Sequence, residues 1–446
     1  MIYYGNETKK AIENFPISGL KPHWEYIKTA VLIKKAAAMV NFQLGQLDKL
    51  KKEAIIKVCD EILSGNFNDQ FVVDPYQAGA GTSHNMNVNE VIANRANEIL
   101  KKSDIIHPND DVNMSQSTND VIPTAIRISC LFVLPKLFKL LKESSILFSQ
   151  KSKQFKNIIK SGRTHLQDAL PITLGQEFSA YAKALENNAQ RIKKSSLNLL
   201  KIGIGGTAVG TGINTNPKYH KLMVKELSKL TNLSLKSSGN LFESMQNTSD
   251  FLDLSGSLRI LAQTLIRIGN DLRLLSSGPK TGFSEINLPE VQAGSSIMPG
   301  KINPSIIEML TMVCFQIIGY DQAVLLASMS GQLELNVMLP LIAYNLLEQI
   351  NLLTNAISIF NEKCLKDLKA NSEMCRYWFE KSYGIAAVLN PYLGYDKTAE
   401  LVRYALTNNL SIKDALLKKK LLDPKTVKRV FEVKNLTRPN LSQFHN

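Results

Sequence analysis

Residues 304–330, PSIIEMLTMVCFQIIGYDQAVLLASMS, carry only two charged side chains, Glu308 and Asp321. Residues 335–361, LNVMLPLIAYNLLEQINLLTNAISIFN, have the same character and only one charged side chain, Glu348. A helix that is apolar on more than one face buries itself inside a bundle or between subunits. The two segments therefore predict a mainly α protein with a core of long helices and an obligate oligomeric state.

Further segments have apolar residues at the i, i+3, i+4 spacing of a helix. The segments predicted as helices on this pattern are Glu25–Leu50, Val121–Gln150, Leu174–Leu200 and Asp250–Ser276. Alternating runs of β-branched residues are scarce, and strands do not alternate with helices as in a doubly wound sheet. The periodicity supports the mainly α prediction.

The overall composition is that of an ordinary globular protein. The chain has 446 residues, of which 44% are hydrophobic and 21% charged. This length corresponds to roughly two or three domains, and the apolar content is sufficient for a large core. Disorder is excluded as the main state.

The chain is basic, with 53 Lys and Arg against 39 Asp and Glu and a formal charge of +14. A nucleic-acid-binding protein would gather this charge into a stripe or arm. Here the lysines are scattered, and even the densest stretch, residues 413–434, is interrupted by Leu, Val and Phe. We expect a solvated helical surface and no nucleic-acid partner, with a field that concentrates dianionic substrates modestly.

Cysteine spacing and the N-terminus indicate the cellular compartment. None of the five cysteines forms a CxxC pair or a cluster at metal-ligand spacing, so we expect buried thiols and no metal. MIYYGNETKK, residues 1–10, lacks the apolar core of a signal peptide. With no apolar run long enough to read as a membrane span, we expect a cytoplasmic protein without membrane contact.

Between the helices lie segments dense in hydroxyls, amides and glycines, which suit donors that converge on an anion. These segments are Gly79–Asn89, His107–Asp120, Ser161–Pro171, Gly203–Pro217 and Ser276–Pro304. The longest, Ser276–Pro304, is glycine-hinged and fits a mobile lid.

The first two of these segments supply uncharged hydrogen-bond donors. Thr82 lies in GAGTSHNMNVN, and Ser117, Thr118 and Asn119 stand directly before a long predicted helix. A helix N-terminus offers free N–H groups to a carboxylate or phosphate. Helix capping is the alternative interpretation, although it requires fewer polar groups than occur here.

His165 and the residues of GSSIMPGKINP, 294–304, are the candidates for acid–base chemistry. His165 is flanked by Arg163 and Thr164, and it fits acid–base work, substrate orientation or a structural role. Ser295 or Ser296 could move a proton, and Lys301 could pair with a carboxylate. No GxSxG, HExxH or GxGxxG motif is present. The residues indicate a cofactor-free site for a small polyanionic acid.

GSSIMPGKINP closely resembles the signature loop of the aspartase/fumarase superfamily. Other blocks resemble that superfamily in the same order, from Tyr3 to about Tyr395. They are GAGTSHNMNVNEVIANRA, HPNDDVNMSQSTNDVIPTAI, SGRTHLQDALPITLGQEF and GGTAVGTGINT.

The resemblance implies a three-domain, largely helical subunit whose central helices assemble into a homotetramer, with each active site shared between three subunits. The expected domains are an N-terminal helical domain, a central long-helix bundle and a small C-terminal helical domain. Their borders are expected at residues 1–115, 116–372 and 373–446.

The resemblance also implies roles for individual residues. Ser295 corresponds to the general base, and Lys301 and Asn303 correspond to carboxylate anchors. Thr164 and His165 correspond to substrate-binding residues of a second region. Donors around the other carboxylate and the leaving group correspond to Thr82, Ser117, Thr118 and Asn119. The bare chemistry favours His165 as base, because a free hydroxyl is a poor one; only the resemblance favours Ser295.

Three segments resemble the aspartase branch of the superfamily: YYGNETKKAIENFPISG, FVVDPYQAGAGTS and GQLELNVMLPLIAYNLLEQI. They imply elimination of ammonia from L-aspartate to give fumarate, through an aci-carboxylate intermediate. Exchange of water between fumarate and L-malate, as in the fumarase branch, is the alternative. A structural scaffold that has lost catalysis is a more remote one.

Overall fold

A computed structural model of the chain describes residues 1–439, and 65% of the structure is helical. The helices are α1 Asn6–Asn14, α2 Trp24–Gln43, α3 Lys49–Leu63, α4 Thr82–Leu100, α5 Thr118–Gln154, α6 Leu174–Ser196, α7 Tyr219–Thr231, α8 Leu241–Gln246, α9 Ser249–Leu275, α10 Ser305–Met329, α11 Leu339–Phe360, α12 Ser372–Lys381, α13 Asn390–Leu393, α14 Tyr395–Thr407, α15 Ile412–Lys418, α16 Pro424–Val430 and α17 Val433–Leu436. The mainly α prediction is confirmed.

Six short strands form three two-stranded sheets in the described part of the chain. The strands are β1 Ile159–Thr164, β2 Gln167–Thr173, β3 Lys201–Ile202, β4 Lys236–Ser237, β5 Ile286–Asn287 and β6 Lys369–Ala370. β1 and β2 pair antiparallel, as do β5 and β6, while β3 and β4 pair parallel.

The chain divides into two compact units, each described here by itself. Unit 1 comprises residues 1–139, 188–263 and 313–355, and unit 2 comprises residues 140–187, 264–312 and 356–446. The three predicted domains stay a prediction, and residues 440–446 of the third lie outside the described residues.

One core of unit 1 is formed where α2, α3 and α4 pack together. Ala30 and Val31 of α2, Ile55 of α3 and Val91 of α4 are all completely buried. Fully burying an aliphatic side chain of this size stabilises a fold by about 1.5–3 kcal/mol. This packing fixes α4, which carries the first of the polar segments.

A second buried feature of unit 1 explains one of the two charges in residues 304–330. Asp321 on α10 is 3% exposed. Its Oδ1 accepts from Ser255 Oγ of α9 at 2.6 Å, and its Oδ2 pairs with Arg259 Nε at 3.0 Å. A buried carboxylate is tolerated when paired in this way.

The predicted helix over Glu25–Leu50 is wrong in its extent, because α2 ends at Gln43 and α3 begins at Lys49. Gly45 has a φ of +75°, a left-handed conformation that glycine adopts readily and that ends a helix. The Asp48 side chain then accepts from Lys51 N at 2.9 Å and caps α3. Apolar periodicity continues across both helices and hides the break.

Unit 2 contains a separate small core in its C-terminal part. Leu389, Leu401 of α14, and Ala415 and Leu416 of α15 are buried together. Ser411 caps α15 by accepting from Asp414 N at 3.1 Å. The short helices of this region therefore form a packed cluster of their own.

The segment Ser161–Pro171, predicted as a loop before a helix, is instead a β-hairpin. Thr164 pairs with Gln167 across the turn, and a register shift lies between Ser161 and Arg163. His165 and Leu166 have φ values of +56° and +60°. Positive φ at both central residues is the geometry of a type I′ turn. The turn could not be predicted from the sequence, because it lacks the Asn-Gly or Gly-Gly pair that is typical of such hairpins.

Two helices in the described residues, α5 and α10, are long and apolar enough to cross a membrane by length and composition alone. The core helix of a soluble protein can have the same length and composition, and 67% of the apolar window of α5 and 33% of that of α10 are buried inside the protein.

Candidate active site

The start of α5 carries three of the predicted substrate-binding residues. Thr118 is the first helical residue, and Ser117 precedes it. The Ser117 Oγ accepts from Asn119 N at 3.2 Å, while Asp120 Oδ1 accepts from Ser117 N at 2.9 Å. All three hydroxyl or amide side chains are half-buried, so they line an accessible surface at the positive end of a helix.

Asp120 joins this helix start to the glycine-rich segment 203–217. Its Oδ2 accepts from Gly205 N at 2.8 Å and from Thr207 N at 3.0 Å. Asp120 is completely buried, and burial raises its pKa to about 6 despite the N–H groups that favour the carboxylate. Asn119 Nδ2 adds a bond of 2.8 Å to the carbonyl of Ala208.

Thr82 opens α4, and its side chain is exposed. Its hydroxyl donates to the carbonyl of Gly79 at 2.6 Å. Gly81 has a φ of +96°, and a Cβ there would lie 2.9 Å from Ile122 Cγ1 of α5. Glycine is required here both by conformation and by the close approach of the two helices.

A buried lysine connects α2 with the polar segments 79–89 and 107–120. Lys34 is 0% exposed, and its Nζ donates to Asn85 Oδ1 at 2.7 Å, Asn113 Oδ1 at 2.8 Å and Gln116 Oε1 at 3.0 Å. Asn85 Nδ2 in turn donates to Thr118 Oγ1 at 3.3 Å. Unit 1 thus brings together segments 79–89, 107–120 and 203–217.

Thr164 and His165 lie at the tip of the hairpin in unit 2, with both side chains exposed. The base of the hairpin is held by buried charges. Arg163 Nη1 and Nη2 pair with the two carboxylate oxygens of Glu285 at 3.1 and 2.9 Å. Lys160 Nζ lies 3.1 Å from Glu285 Oε2, and Glu285 is completely buried.

The segment that carries Ser295 folds on itself in unit 2. Ser295 Oγ accepts from Ile297 N at 3.2 Å and from Met298 N at 3.1 Å. Asn303 Nδ2 donates to the Gly294 carbonyl at 2.7 Å and closes the loop. Two N–H groups aimed at one hydroxyl oxygen favour its deprotonated form. Lys301 is exposed, so its ammonium is available to a ligand.

No group of three or more His, Cys, Asp or Glu that could hold a metal ion occurs among residues 1–439. The donors described above are hydroxyls, amides and backbone N–H groups, together with Lys301 and His165. Donors of these kinds, in either unit, suit a carboxylate and a developing negative charge.

Lys34 and Glu285 support candidate site residues, but neither was predicted from the sequence. Lys34 stands in the apolar stretch VLIKKAAAMV, at a position that α2 buries. A lysine at a buried position of a helix is unusual enough to signal a specific partner. Sequence spacing could not name that partner, since Asn85 and Gln116 lie far along the chain.

Comparison with known proteins places the chain in a family. The family model described as "Lyase" matches residues 2–319, and a second, "Fumarase C C-terminus", matches residues 385–438. The chain belongs to this lyase family. The resemblance to the aspartase/fumarase superfamily is confirmed.

Individual members of the family are similar to this chain over almost its whole length. Aspartate ammonia-lyase of Bacillus subtilis (strain 168) is 46% identical over 445 residues, covering 99% of this chain and 94% of that protein. A class II fumarate hydratase of Bacillus cereus is 42% identical over 441 residues, covering 97% and 95%. A solved structure described as fumarate lyase:delta crystallin from Brucella melitensis, bound to cobalt, superposes with a TM-score of 0.94. It is 45% identical and covers 98% of this chain and 95% of its own.

Proposed function

We propose that this protein is an ammonia-lyase that reversibly eliminates ammonia from L-aspartate to give fumarate. The observation that carries the proposal is the 46% identity to an aspartate ammonia-lyase along 99% of the chain. Further aspartate ammonia-lyases, from Helicobacter pylori and Pseudomonas aeruginosa, are 43% and 44% identical over almost the whole chain.

The reaction needs stabilisation of a doubly charged carboxylate. Loss of a proton from the β-carbon leaves an electron pair that moves into the adjacent carboxylate and forms the aci-carboxylate. When the electrons return, the double bond forms, the C–N bond breaks and ammonia leaves. Each preorganised donor to such an intermediate contributes about 3–4 kcal/mol. Lys301 and Asn303 are assigned to this carboxylate.

Ser295 is assigned as the general base that removes the β-proton. The two N–H groups of residues 297 and 298 at its Oγ support the assignment, because they stabilise an alkoxide. The exposed ammonium of Lys301, six positions further on, would favour the same charged state.

The remaining residues are assigned to substrate binding. Donors at the start of α5 and α4, namely Ser117, Thr118, Asn119 and Thr82, bind the other carboxylate and the departing amine. Thr164 and His165 bind substrate from the hairpin tip, with His165 positioned to exchange a proton. No cofactor is required, because every step moves only protons and a carbon–nitrogen bonding pair.

We further propose that the protein is a homotetramer with active sites shared between three subunits. The apolar helix α10 supports this, because it leaves Met312 65%, Phe315 59%, Leu326 63% and Met329 72% exposed. An apolar surface of this kind on a long helix marks a protein–protein interface. Light scattering of the purified protein tests the proposal, and a fully active monomer would contradict it.

A fumarate hydratase is the second candidate, because the Bacillus cereus relative of that name is 42% identical. We place the protein in the cytoplasm, without a membrane or nucleic-acid partner. An inactive scaffold is disfavoured because every predicted site residue is present.

The deciding experiment offers L-aspartate and L-malate separately to the purified protein and follows the ultraviolet absorbance of fumarate. A rise with aspartate alone supports the ammonia-lyase. A rise with malate alone identifies a hydratase, and no rise with either contradicts both.

A further inference from the structure

Lys34 has an unusual set of partners for a buried cation. Its ammonium has three N–H bonds, and its three partners are carboxamide oxygens of Asn85, Asn113 and Gln116. No carboxylate oxygen lies within ion-pair distance of its Nζ among residues 1–439, although the charge of the buried Asp120 acts on it from farther away. A buried lysine whose hydrogen-bond acceptors are all neutral is costly, which points to a role other than stability.

The ammonium determines how the Asn85 side chain is oriented. Because an ammonium can only donate, the oxygen end of each carboxamide must face it. The Asn85 amino end is thereby turned away from Lys34, where it donates to Thr118 Oγ1 at 3.3 Å and to Asn113 Oδ1 at 3.2 Å. Without Lys34, the amide loses its shortest orienting bond and keeps only the longer one to Asn113 Oδ1.

The orientation of Asn85 in turn determines what the Thr118 hydroxyl can do. A hydroxyl has one hydrogen to donate and lone pairs to accept. When Thr118 Oγ1 accepts from Asn85, its own hydrogen cannot point at that amino group and is directed elsewhere. The half-buried Thr118 at the start of α5 can then donate this hydrogen to a ligand.

We propose that Lys34 is a positioning residue which, through Asn85, presents the Thr118 hydroxyl hydrogen to a substrate carboxylate. The inference rests on the proposed function, since that function supplies the carboxylate. Its second effect is electrostatic, because a buried positive charge that Asp120 offsets only in part favours a dianionic ligand nearby. Burial lowers the pKa of Lys34 to about 7, which leaves it responsive to such a neighbour.

Asn85→Asp tests the hydrogen-bond relay while keeping Lys34 paired. The aspartate still accepts from Lys34, and the ion pair supports folding. Its other oxygen can only accept, so it takes the Thr118 hydrogen away from the substrate. We expect kcat/KM for L-aspartate to fall about 10- to 100-fold, the usual effect of one hydrogen bond to a charged group. The thermal unfolding midpoint is measured alongside, because the variant also loses the bond from Asn85 Nδ2 to Asn113 Oδ1.

A double-mutant cycle separates the relay from the added negative charge. In a Thr118→Val background there is no hydroxyl to orient, so Asn85→Asp should lower kcat/KM further by only about threefold or less. An equal loss in both backgrounds would show that charge alone is responsible, and it would overturn the relay. If Asn85→Asp does not fold, Asn85→Ala enters the same cycle.

Asn87→Asp is the matched control on the same helix. Asn87 is equally buried, but its side chain donates to the Gln70 carbonyl and accepts from Val72 N, away from the relay. We expect a lower unfolding midpoint and a kcat/KM per folded enzyme within about twofold of wild type.

Failure of the relay and failure of the proposed function give different results. An active wild type with an unaltered Asn85→Asp variant overturns the relay alone. A wild type that is inactive with aspartate and malate contradicts the proposed function. In that case the fumarate Kd from calorimetry replaces kcat/KM in the same cycle, and absence of fumarate binding overturns the relay as well.

Discussion

The start of α5 and the Ser295 loop are both assigned to the substrate, but different interactions hold them in place. Thr118 and Asn119 are supported by residues distant in sequence, namely Asn85 with its buried partner Lys34, and the carbonyl of Ala208. Within the described residues 1–439, the Ser295 loop is closed only by bonds among residues 294–303, and most of its side chains are exposed. The donors at the start of α5 in unit 1 are therefore preorganised, whereas residues 294–303 in unit 2 are able to reorganise.

The largest effect is expected at the proposed base. Ser295→Ala should lower kcat by about 1,000-fold or more, because it removes the proposed base for the β-proton, while fumarate still binds. Turnover is measured by fumarate absorbance and binding by calorimetry. The exposed neighbour provides the control, since Ser296→Ala should retain near-normal turnover. The reverse pattern would assign the base to Ser296.

A smaller effect is expected at the buried charges that hold the hairpin. Glu285→Gln leaves Arg163 without its carboxylate partner and Lys160 with only Glu177, at a cost of about 3 kcal/mol in unfolding free energy. Chemical denaturation at fixed protein concentration measures this cost. Glu290→Gln, at an exposed position of the same segment, should change stability by about 0.5 kcal/mol or less. Equal costs would mean that the pairs contribute nothing.

Hydrogen exchange tests the comparison of the two regions directly. The amides of Gly205 and Thr207 are buried and bonded to Asp120, so they should exchange about 100-fold more slowly than those of Ile297 and Met298. Fumarate should slow exchange in residues 294–303 and leave Gly205 and Thr207 unchanged. Uniform protection before ligand addition would contradict a reorganising loop.

The smallest effect concerns the dependence of stability on pH. Burial lowers the folded-state pKa of Lys34 to about 7, whereas an unfolded lysine titrates at 10.5. Between these values the unfolded chain binds more protons, so the stability of the folded state rises with pH. The free energy of unfolding of the wild type, relative to that of Lys34→Met, should rise by about 2 kcal/mol between pH 7 and pH 9. If the difference in unfolding free energy between wild type and Lys34→Met did not change with pH, Lys34 would be charged over the whole range.

Most of the helical architecture was predictable from the sequence, because long apolar helices have a strong local signal. The prediction over Asp250–Ser276 differs by one residue at each end from α9, Ser249–Leu275. Local signals failed at the break between α2 and α3 and at the hairpin around His165. In both places the conformation depends on positive φ angles that cannot be predicted from the neighbouring residues.

The candidate site was predictable as a set of residues but not as an arrangement. Segments rich in hydroxyls, amides and glycines are recognisable by composition. Thr82, Thr118 and Ser295 could therefore be identified as candidates. The residues that support them could not be identified, because the roles of Lys34 and Glu285 depend on partners that are distant along the chain.

The sequence by itself determined the mainly α class, the family and the chemical character of the site, because periodicity and short motifs are local properties. Only the tertiary structure decided which amide faces Lys34, which N–H groups Asp120 accepts and which charges hold the hairpin. These choices depend on burial, which removes water as the competing partner and makes each polar group require a specific protein neighbour.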